Sequence, residues 1–327
     1  MKRLLDIIRK KPAIPHLAAY DPVIRELDEP DHVTLPLDYR EQVRYSPVVG
    51  VGHTVRKGQA VAKSRNGNAV IASISGTIRD ITTVWTAQSV HSPAIIIDND
   101  GGEPLTPEEM FDGPAPAGDL EAAMMRLRAA GVAPPWTLSG REWEEGEMVE
   151  LPRIETVIIT GIRQETTVLT SQLLLDQQRD KVAEGLTRIS PLLTGARVCL
   201  TLPEAFKPWA DSLFDKLAEL YYLPESYPDR IVREVVAQIL GYRIPNRQSY
   251  RDHGVAVLDL EYLLAVVDAL DGRAPLTHKC FTISGTDIKE AVTVRFPLGT
   301  SLRHILASQG LELADYTRPV IDGPMKG

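Results

Sequence analysis

Few residues of this 327-residue chain have the types and spacing that chemistry needs. Its two cysteines, Cys199 and Cys280, stand far apart in apolar runs, Arg-Val-Cys-Leu and Lys-Cys-Phe-Thr-Ile. That context reads as two buried thiols, and two thiolates fall short of the four that an iron–sulfur cluster takes. The seven histidines are scattered, with no His-x-x-x-His and no carboxylate pair at ligand spacing, so no metal site is expected. His253 beside Asp252 could act as a catalytic pair, or could belong to a polar loop ahead of a strand. Trp136 and Trp143 could stack a ring-shaped ligand or pack against the chain. Arg141, Trp143, Glu144 and Glu145 form a polar stretch that could face a partner. No residue is assigned a catalytic role.

The elements that must position these residues are several. The chain is too long for one compact core, and its hydrophobic fraction of 43% suits two or three domains. A net charge of −8 argues against nucleic acid as the main partner, because phosphate binding needs clustered Lys and Arg. No stretch reaches the ~18 apolar residues that would cross a bilayer, so a soluble chain is expected. Met1 to Lys11, MKRLLDIIRKK, can place Leu4, Leu5, Ile7 and Ile8 on one face of a short helix. Such a helix grips a partner or an anionic surface, or packs on its own chain.

Along the chain, residues 12–31 are rich in proline and charge and read as an extended lead-in. From Val33 to about Asp98, short apolar runs alternate with turn signals at Gly50, Gly52, Gly58, Asn66-Gly67-Asn68 and Gly76, the rhythm of a small all-β unit. A linker rich in Gly, Pro and acid follows. Leu120–Ala130 reads as a helix, Thr156–Thr160 as a buried strand, Ser171–Leu193 as one long helix and Ala196–Leu202 as a second strand. Ala210–Tyr221, Asp229–Leu240 and Leu260–Leu270 read as helices. Strands alternating with helices imply a parallel sheet covered on both faces. The pattern turns β again at Lys279–Ser284 and Glu290–Phe296, and a helix at Ser301–Gln309 follows.

Three motifs carry a family resemblance. Gly52-His-Thr-Val55, Lys57-Gly-Gln-Ala-Val61 and Ser75-Gly-Thr-Ile78 resemble the barrel-sandwich hybrid of lipoyl and biotinyl carriers, with Val55, Val61, Val70 and Ile78 filling its interior. Carriers present a modified lysine at a hairpin tip. Here the tip is Asn66-Gly67-Asn68 and Lys63 lies off it, so the module reads as structural. Tyr227-Pro228 opening a helix that ends at Gly241, then Ile244-Pro245 and Gly254-Val-Ala-Val257, resembles the C subunit of the Rnf electron-transport complex. The same region is more distantly similar to the flavin subunit of complex I. Thr282-Ile-Ser-Gly285 with Phe296-Pro-Leu-Gly-Thr-Ser301 resembles the soluble-ligand-binding (SLBB) β-grasp domain. Gly323-Pro-Met-Lys-Gly327 is similar to the stretch that precedes the ferredoxin module of the Rnf subunit. The A subunit of the sodium-pumping Nqr complex has a comparable order.

The resemblance implies an α/β multidomain chain: an N-terminal arm (1–32), a barrel-sandwich hybrid (33–100), a linker (101–119), a Rossmann-like domain (120–273) and an SLBB-like β-grasp domain (274–327). In the flavin-binding relatives a glycine-rich loop ending Gly-Phe-Pro-Thr wraps the FMN phosphate. The matching stretch reads Gly131-Val-Ala-Pro-Pro-Trp-Thr137-Leu-Ser-Gly140, where Pro134 and Pro135 have no N–H to donate. A family Asn-Ala-x-Glu-x-Glu-Pro stretch stands here as Thr160-Gly161-Ile-Arg-Gln-Glu165-Thr166. These departures imply a degenerate site whose remnants are Gly131, Thr137, Gly161 and Glu165. The chain is then expected to carry no cofactor. FMN is disfavoured, and iron–sulfur clusters are assigned to partner subunits or to a further C-terminal module. The implied role is a cytoplasmic subunit, peripheral to the membrane, that docks on the other subunits of an electron-transport complex. The rivals are an active FMN-dependent NADH dehydrogenase module and a small-ligand-binding protein acting through the β-grasp domain.

Overall fold

The computed structural model describes residues 19–38, 44–86, 91–133, 153–163, 165, 167–193, 195–224, 229–285, 288–312, 320–321 and 323. The first module is built from two small sheets. One has the order β2 (His32–Pro36), β8 (His91–Asn99), β7 (Gly76–Trp85), β4 (Thr54–Val55). The other is β3 (Tyr45–Pro47), β5 (Ala60–Ser64), β6 (Ala69–Ile71). Alternate residues of these strands point inward, and Val33, Leu35, Val55, Val61, Ile78, Ile95 and Ile97 form a closed apolar core. The turn between β5 and β6 falls at Asn66–Asn68, and Gly67 takes φ +81° there. Lys63 lies within β5, paired with Ser46 and Ala69.

The linker does not hang free. Its short helix α1 (Pro107–Met110) is capped by Thr106, and Glu109 takes an ion pair from Arg56 of the barrel at 2.8 Å. Helix α2 (Leu120–Ala129) starts at Asp119, whose carboxylate accepts from Ala122 N at 3.0 Å.

The α/β domain holds four parallel strands in the order β11 (Glu219–Leu223), β10 (Arg197–Pro203), β9 (Thr156–Thr160), β12 (Val255–Asp259). Strands are added leftward from β9 through β11, then to its other side at β12. Helices α2, α3 (Thr170–Gln177), α4 (Arg179–Ile189), α5 (Lys207–Phe214) and α7 (Leu260–Leu270) cover one face with Val157, Ile159, Leu200, Val182, Leu186 and Leu263 in the core. Helix α6 (Val232–Leu240) covers the other, over Ile158, Cys199 and Val255. β9 is buried at every position because both its faces are covered.

Two readings change here. The single helix expected over Ser171–Leu193 breaks at Gln178, where φ is −127° and ψ 37°. The break lets α3 turn Leu173 toward Ile24 and Ala291, while α4 turns Val182, Leu186 and Ile189 into the main core. The helix expected over Ala210–Tyr221 ends at Phe214, and Glu219–Leu223 is an edge strand.

The last sheet is β1 (Tyr20–Glu26), β14 (Ala291–Pro297), β13 (His278–Ile283), with α8 (Leu302–Ala307) following. β13 and β14 form an antiparallel hairpin, and β1 joins β14 in parallel. The residues read as a lead-in therefore supply a strand to the C-terminal module.

Gly185 of α4 abuts α7 so closely that a Cβ there would stand 2.9 Å from Leu263 Cγ and Val267 Cγ2. Replacing Gly185 with Ala gains ~1 kcal/mol of helix propensity but overpacks this contact by roughly 1–3 kcal/mol. Thermal unfolding of Gly185→Ala should show a melting point a few degrees lower; a raised one would contradict the packing. His278 gives a second test. Burial, together with Arg295 of β14 and Lys57 of the barrel, pushes its imidazole down to about 3. An ordinary histidine in the unfolded chain titrates near 6.5. The unfolded chain thus binds more protons between those values, and stability falls as pH drops from about 6.5 toward 3, by at most ~1.4 kcal/mol per pH unit from this group. Urea unfolding of His278→Asn should be measurably less pH-dependent in that window.

Candidate functional site

Open parallel sheets leave a crevice beyond the carboxyl ends of their strands, at the point where strand addition changes direction. In this sheet that point lies between β9 and β12. Thr160, at the end of β9, is fully buried and its Oγ1 donates to Leu258 O of β12 at 3.1 Å. Gly161 follows, and its N–H donates to Thr201 O of β10 at 2.9 Å. A Cβ on Gly161 would come within 2.7 Å of that same oxygen, so only glycine lets the chain leave β9 this close to β10. Glu165 lies four residues beyond and is buried, at 4% exposure.

The loop from Glu165 to α3 is held by the C-terminal hairpin. Ser284 Oγ donates to Thr167 O at 3.0 Å, and Leu169 N donates to Thr282 Oγ1 at 3.1 Å. On the β12 side, Asp259 caps α7 by accepting from Tyr262 N at 2.6 Å. The phenol of Tyr262, buried in the first turn of α7, donates to Ala133 O, and burial raises its pKa well above the ordinary range. Ala133 is the last described residue before the 134–152 stretch.

The expected site residues separate accordingly. Gly161 lies at this edge against Thr201 of β10, and Glu165 follows it, buried against Gly323. Gly131 sits at the end of α2, where φ is +75° and a Cβ would stand 2.9 Å from Ile71 Cγ1 of the barrel, so it seats the helix end on the first module. Thr137, Pro134, Pro135, Trp136, Arg141, Trp143, Glu144 and Glu145 lie outside the described residues. Thr282 and Ser284 were read only as part of the β-grasp motif, and Tyr262 was not singled out, because the contacts that bring them here cross more than 110 residues. The acid at Asp259 opening an apolar helix was the one local signal.

The amino edge carries other features. Asp252 and His253 turn to different partners: Asp252 Oδ2 accepts from Ser249 N at 3.1 Å, and His253 Nε2 meets Gln248 Oε1 at 2.6 Å. They form a polar turn ahead of β12. A groove of about 530 Å³ lies at the start of β10 and β11, lined by Lys207, Asp211, Lys216, Glu219 and Tyr222 among others. Within it Lys207 and Tyr222 both reach Asp211, at 2.9 and 2.6 Å.

Residues 13–102 match the family described as the RnfC barrel sandwich hybrid domain. The C subunit of the ion-translocating oxidoreductase complex of Pectobacterium atrosepticum is 25% identical over 316 residues, 93% of this chain and 45% of that one. The C subunit of the proton-translocating ferredoxin:NAD(+) oxidoreductase complex of Clostridium ljungdahlii is 24% identical, covering 91% of this chain and 66% of its own. Its Na(+)-translocating counterpart in Acetobacterium woodii is 22% identical, with coverage of 91% and 69%. This chain thus spans about half the length of the first of these relatives. Among solved structures, an NAD+-reducing [NiFe]-hydrogenase is similar with a TM-score of 0.45 and 18% identity, over 64% of this chain and 42% of that one.

Fold and sequence together define a mixed α/β chain with an N-terminal barrel-sandwich hybrid. The chain is similar to the C subunits of these complexes over 91–93% of its length. No helix among the described residues is long and apolar enough to cross a membrane.

One expectation is corrected by these findings. A chain without cofactors was expected, with FMN disfavoured and clusters placed elsewhere. Two of the relatives are C subunits of ferredoxin:NAD(+) oxidoreductase complexes and match over 91% of this chain, the α/β domain included, so the expectation of a chain without cofactors does not stand. The prolines that argued against FMN lie in the stretch outside the described residues. The cluster ligands do not fit what the described residues offer, where no three His, Cys, Asp or Glu side chains come together.

Both cysteines are buried and unpaired, Cys199 inside β10 and Cys280 inside β13. Burial pushes the Cys199 thiol up to about 11 and the Cys280 thiol up to about 12. A thiol reagent at pH 8 should therefore label neither cysteine of the native chain within minutes and both after denaturation. Rapid labelling of the native chain would show that one thiol is reachable.

Proposed function

We propose that this chain is a membrane-peripheral, cytoplasmic subunit of an Rnf-type electron-transport complex, and that the carboxyl edge of its Rossmann-like domain receives a nucleotide. The observation that carries the reading is that Gly161 leaves β9 with no room for a side chain, with buried Glu165 four residues on, while across the switch point Tyr262 of α7 holds Ala133 beside the end of β12. The strand order, running 3-2-1-4 in sequence terms, is that of dinucleotide-binding sheets. The SLBB-like hairpin, with Thr282 and Ser284, walls one side of the edge. Similarity to the C subunits of ferredoxin:NAD(+) oxidoreductase complexes supports a redox role rather than small-ligand storage.

The residues fit FMN or NADH in specific ways. Gly161 keeps the floor of the crevice free of a side chain, and the Glu165 carboxylate is an acceptor suited to sugar hydroxyls. Gly131 seats the end of α2 on the barrel against Ile71. FMN bound there would supply the step between hydride donors and one-electron acceptors. The barrel reads as a docking module, since the tip at Asn66–Asn68 offers no lysine.

Fluorescence titration of the purified chain with FMN and with NADH tests the reading. Saturable binding of at least one nucleotide is expected, weakened roughly tenfold, or ~1.4 kcal/mol, by Glu165→Gln through loss of a charge-assisted hydrogen bond. Absence of binding by the wild-type chain would contradict it.

A further inference from the structure

The end of the chain returns to the start of the site. Gly323 takes φ +88°, and a Cβ built on it would stand 2.6 Å from Glu165 Cγ, 2.8 Å from Oε2 and 2.9 Å from Glu165 Cβ. Two residues separated by 158 positions thus touch through bare backbone on one side and a buried carboxylate on the other. Val320 and Ile321, the described residues just before Gly323, are exposed. On its far side, the Glu165–Thr170 loop is already fixed by Ser284 and Thr282 of the C-terminal hairpin. Gly323 thus lies against the Glu165 side chain, while the hairpin of the same C-terminal module holds the residues that follow it. The glutamate cannot yield cheaply, because the close atoms include its Cβ and Cγ and not only the tip of the side chain.

We propose that Gly323 is a positioning residue of the nucleotide site: by lying against Glu165 it fixes where that carboxylate is presented to the hydroxyls of the ligand. The inference rests on the reading of the carboxyl edge as a nucleotide site. The chemistry recognised is a pair of neighbouring hydroxyls, which a carboxylate accepts through its two oxygens. A ribose of NADH and the ribityl chain of FMN both present such hydroxyls.

The test titrates the full chain separately with NADH and with FMN, by fluorescence, in a set of variants. Gly323→Ala adds both a methyl at the contact and strain at positive φ. Gly310→Ala is the control for strain alone, since Gly310 has φ +69° and open space around its Cβ. The nucleotide that loses affinity in Glu165→Gln identifies the ligand. Gly323→Ala should weaken binding of that same nucleotide roughly tenfold. Gly310→Ala should bind as the wild type does. Glu165→Gln combined with Gly323→Ala should be no weaker than the worse single variant, because both act on one interaction. Glu165→Asp, one methylene shorter, should recover part of the affinity lost in Gly323→Ala, and this double variant also serves if Gly323→Ala alone is too unstable to purify. A Gly323→Ala chain that binds normally while Glu165→Gln is impaired would overturn the inference and leave the site reading standing. Equal weakening by Gly310→Ala, or no recovery with Glu165→Asp, would also overturn it. Normal binding by Glu165→Gln, or no binding by the wild type, would remove the site reading and the inference with it.

Discussion

The parallel pairing of β1 with β14 joins Ile24 to Thr293, Arg25 to Val294 and Glu26 to Arg295, across some 270 residues of chain. A parallel pair cannot be closed by a turn, so this one forms only when everything between its strands has folded to bring them together. The Arg295–Glu26 ion pair at 2.7 Å is exposed and contributes little. What holds the strand is its apolar contact, with Ile24 packing on Leu169, Leu173 and Ala291. Ile24 also reaches the main core of the α/β domain. One strand thus connects the start of the barrel, the C-terminal sheet and the loop that carries Glu165.

The barrel is tied to the same sheet by a second seam. Thr34 N donates to Gly299 O at 3.0 Å, Ser73 Oγ donates to Leu298 O at 2.6 Å, and the Leu298 side chain packs on the barrel core. Cys280 of β13, in turn, belongs to the core of the α/β domain. The three modules share side chains and are not beads on a string. That sharing is why a carboxylate following β9 is walled by a hairpin from the C-terminal module and touched by a glycine near the end of the chain.

The sequence made legible the parts whose signals are local. The glycine rhythm from Gly50 to Gly76 marks a small barrel, and β-branched runs at Thr156–Thr160 and Ala196–Leu202 mark central strands buried on both faces. Apolar neighbours foretold the burial of Cys199 and Cys280. What escaped is non-local or half-exposed. β1 alternates charge with single apolar residues, and only Ile24 and its neighbours find a partner surface. β11 is an edge strand of mixed character, Glu-Leu-Tyr-Tyr-Leu, which continues a helical pattern as readily as it begins a strand. The break at Gln178 has no glycine or proline to announce it, because tertiary packing on two different cores imposes it. At the site, Gly161 and Glu165 were legible as residues, whereas the place of Tyr262, Thr282, Ser284 and Gly323 beside them was not.

The two edges of the parallel sheet offer different chemistry. At the amino edge, ion pairs join Arg197 to Glu219 at 2.6 Å and Lys207 to Asp211 at 2.9 Å. Beyond the carboxyl edge come Gly161, where a Cβ would strike Thr201 O, and the buried acid Glu165. Hydrogen–deuterium exchange of the full chain, with and without saturating NADH or FMN, compares the edges directly. Protection confined to the backbone around 160–169 and 320–323, with the 204–223 region unchanged, is the predicted result. Protection at 204–223 with none at 160–169 would contradict the placement of the site.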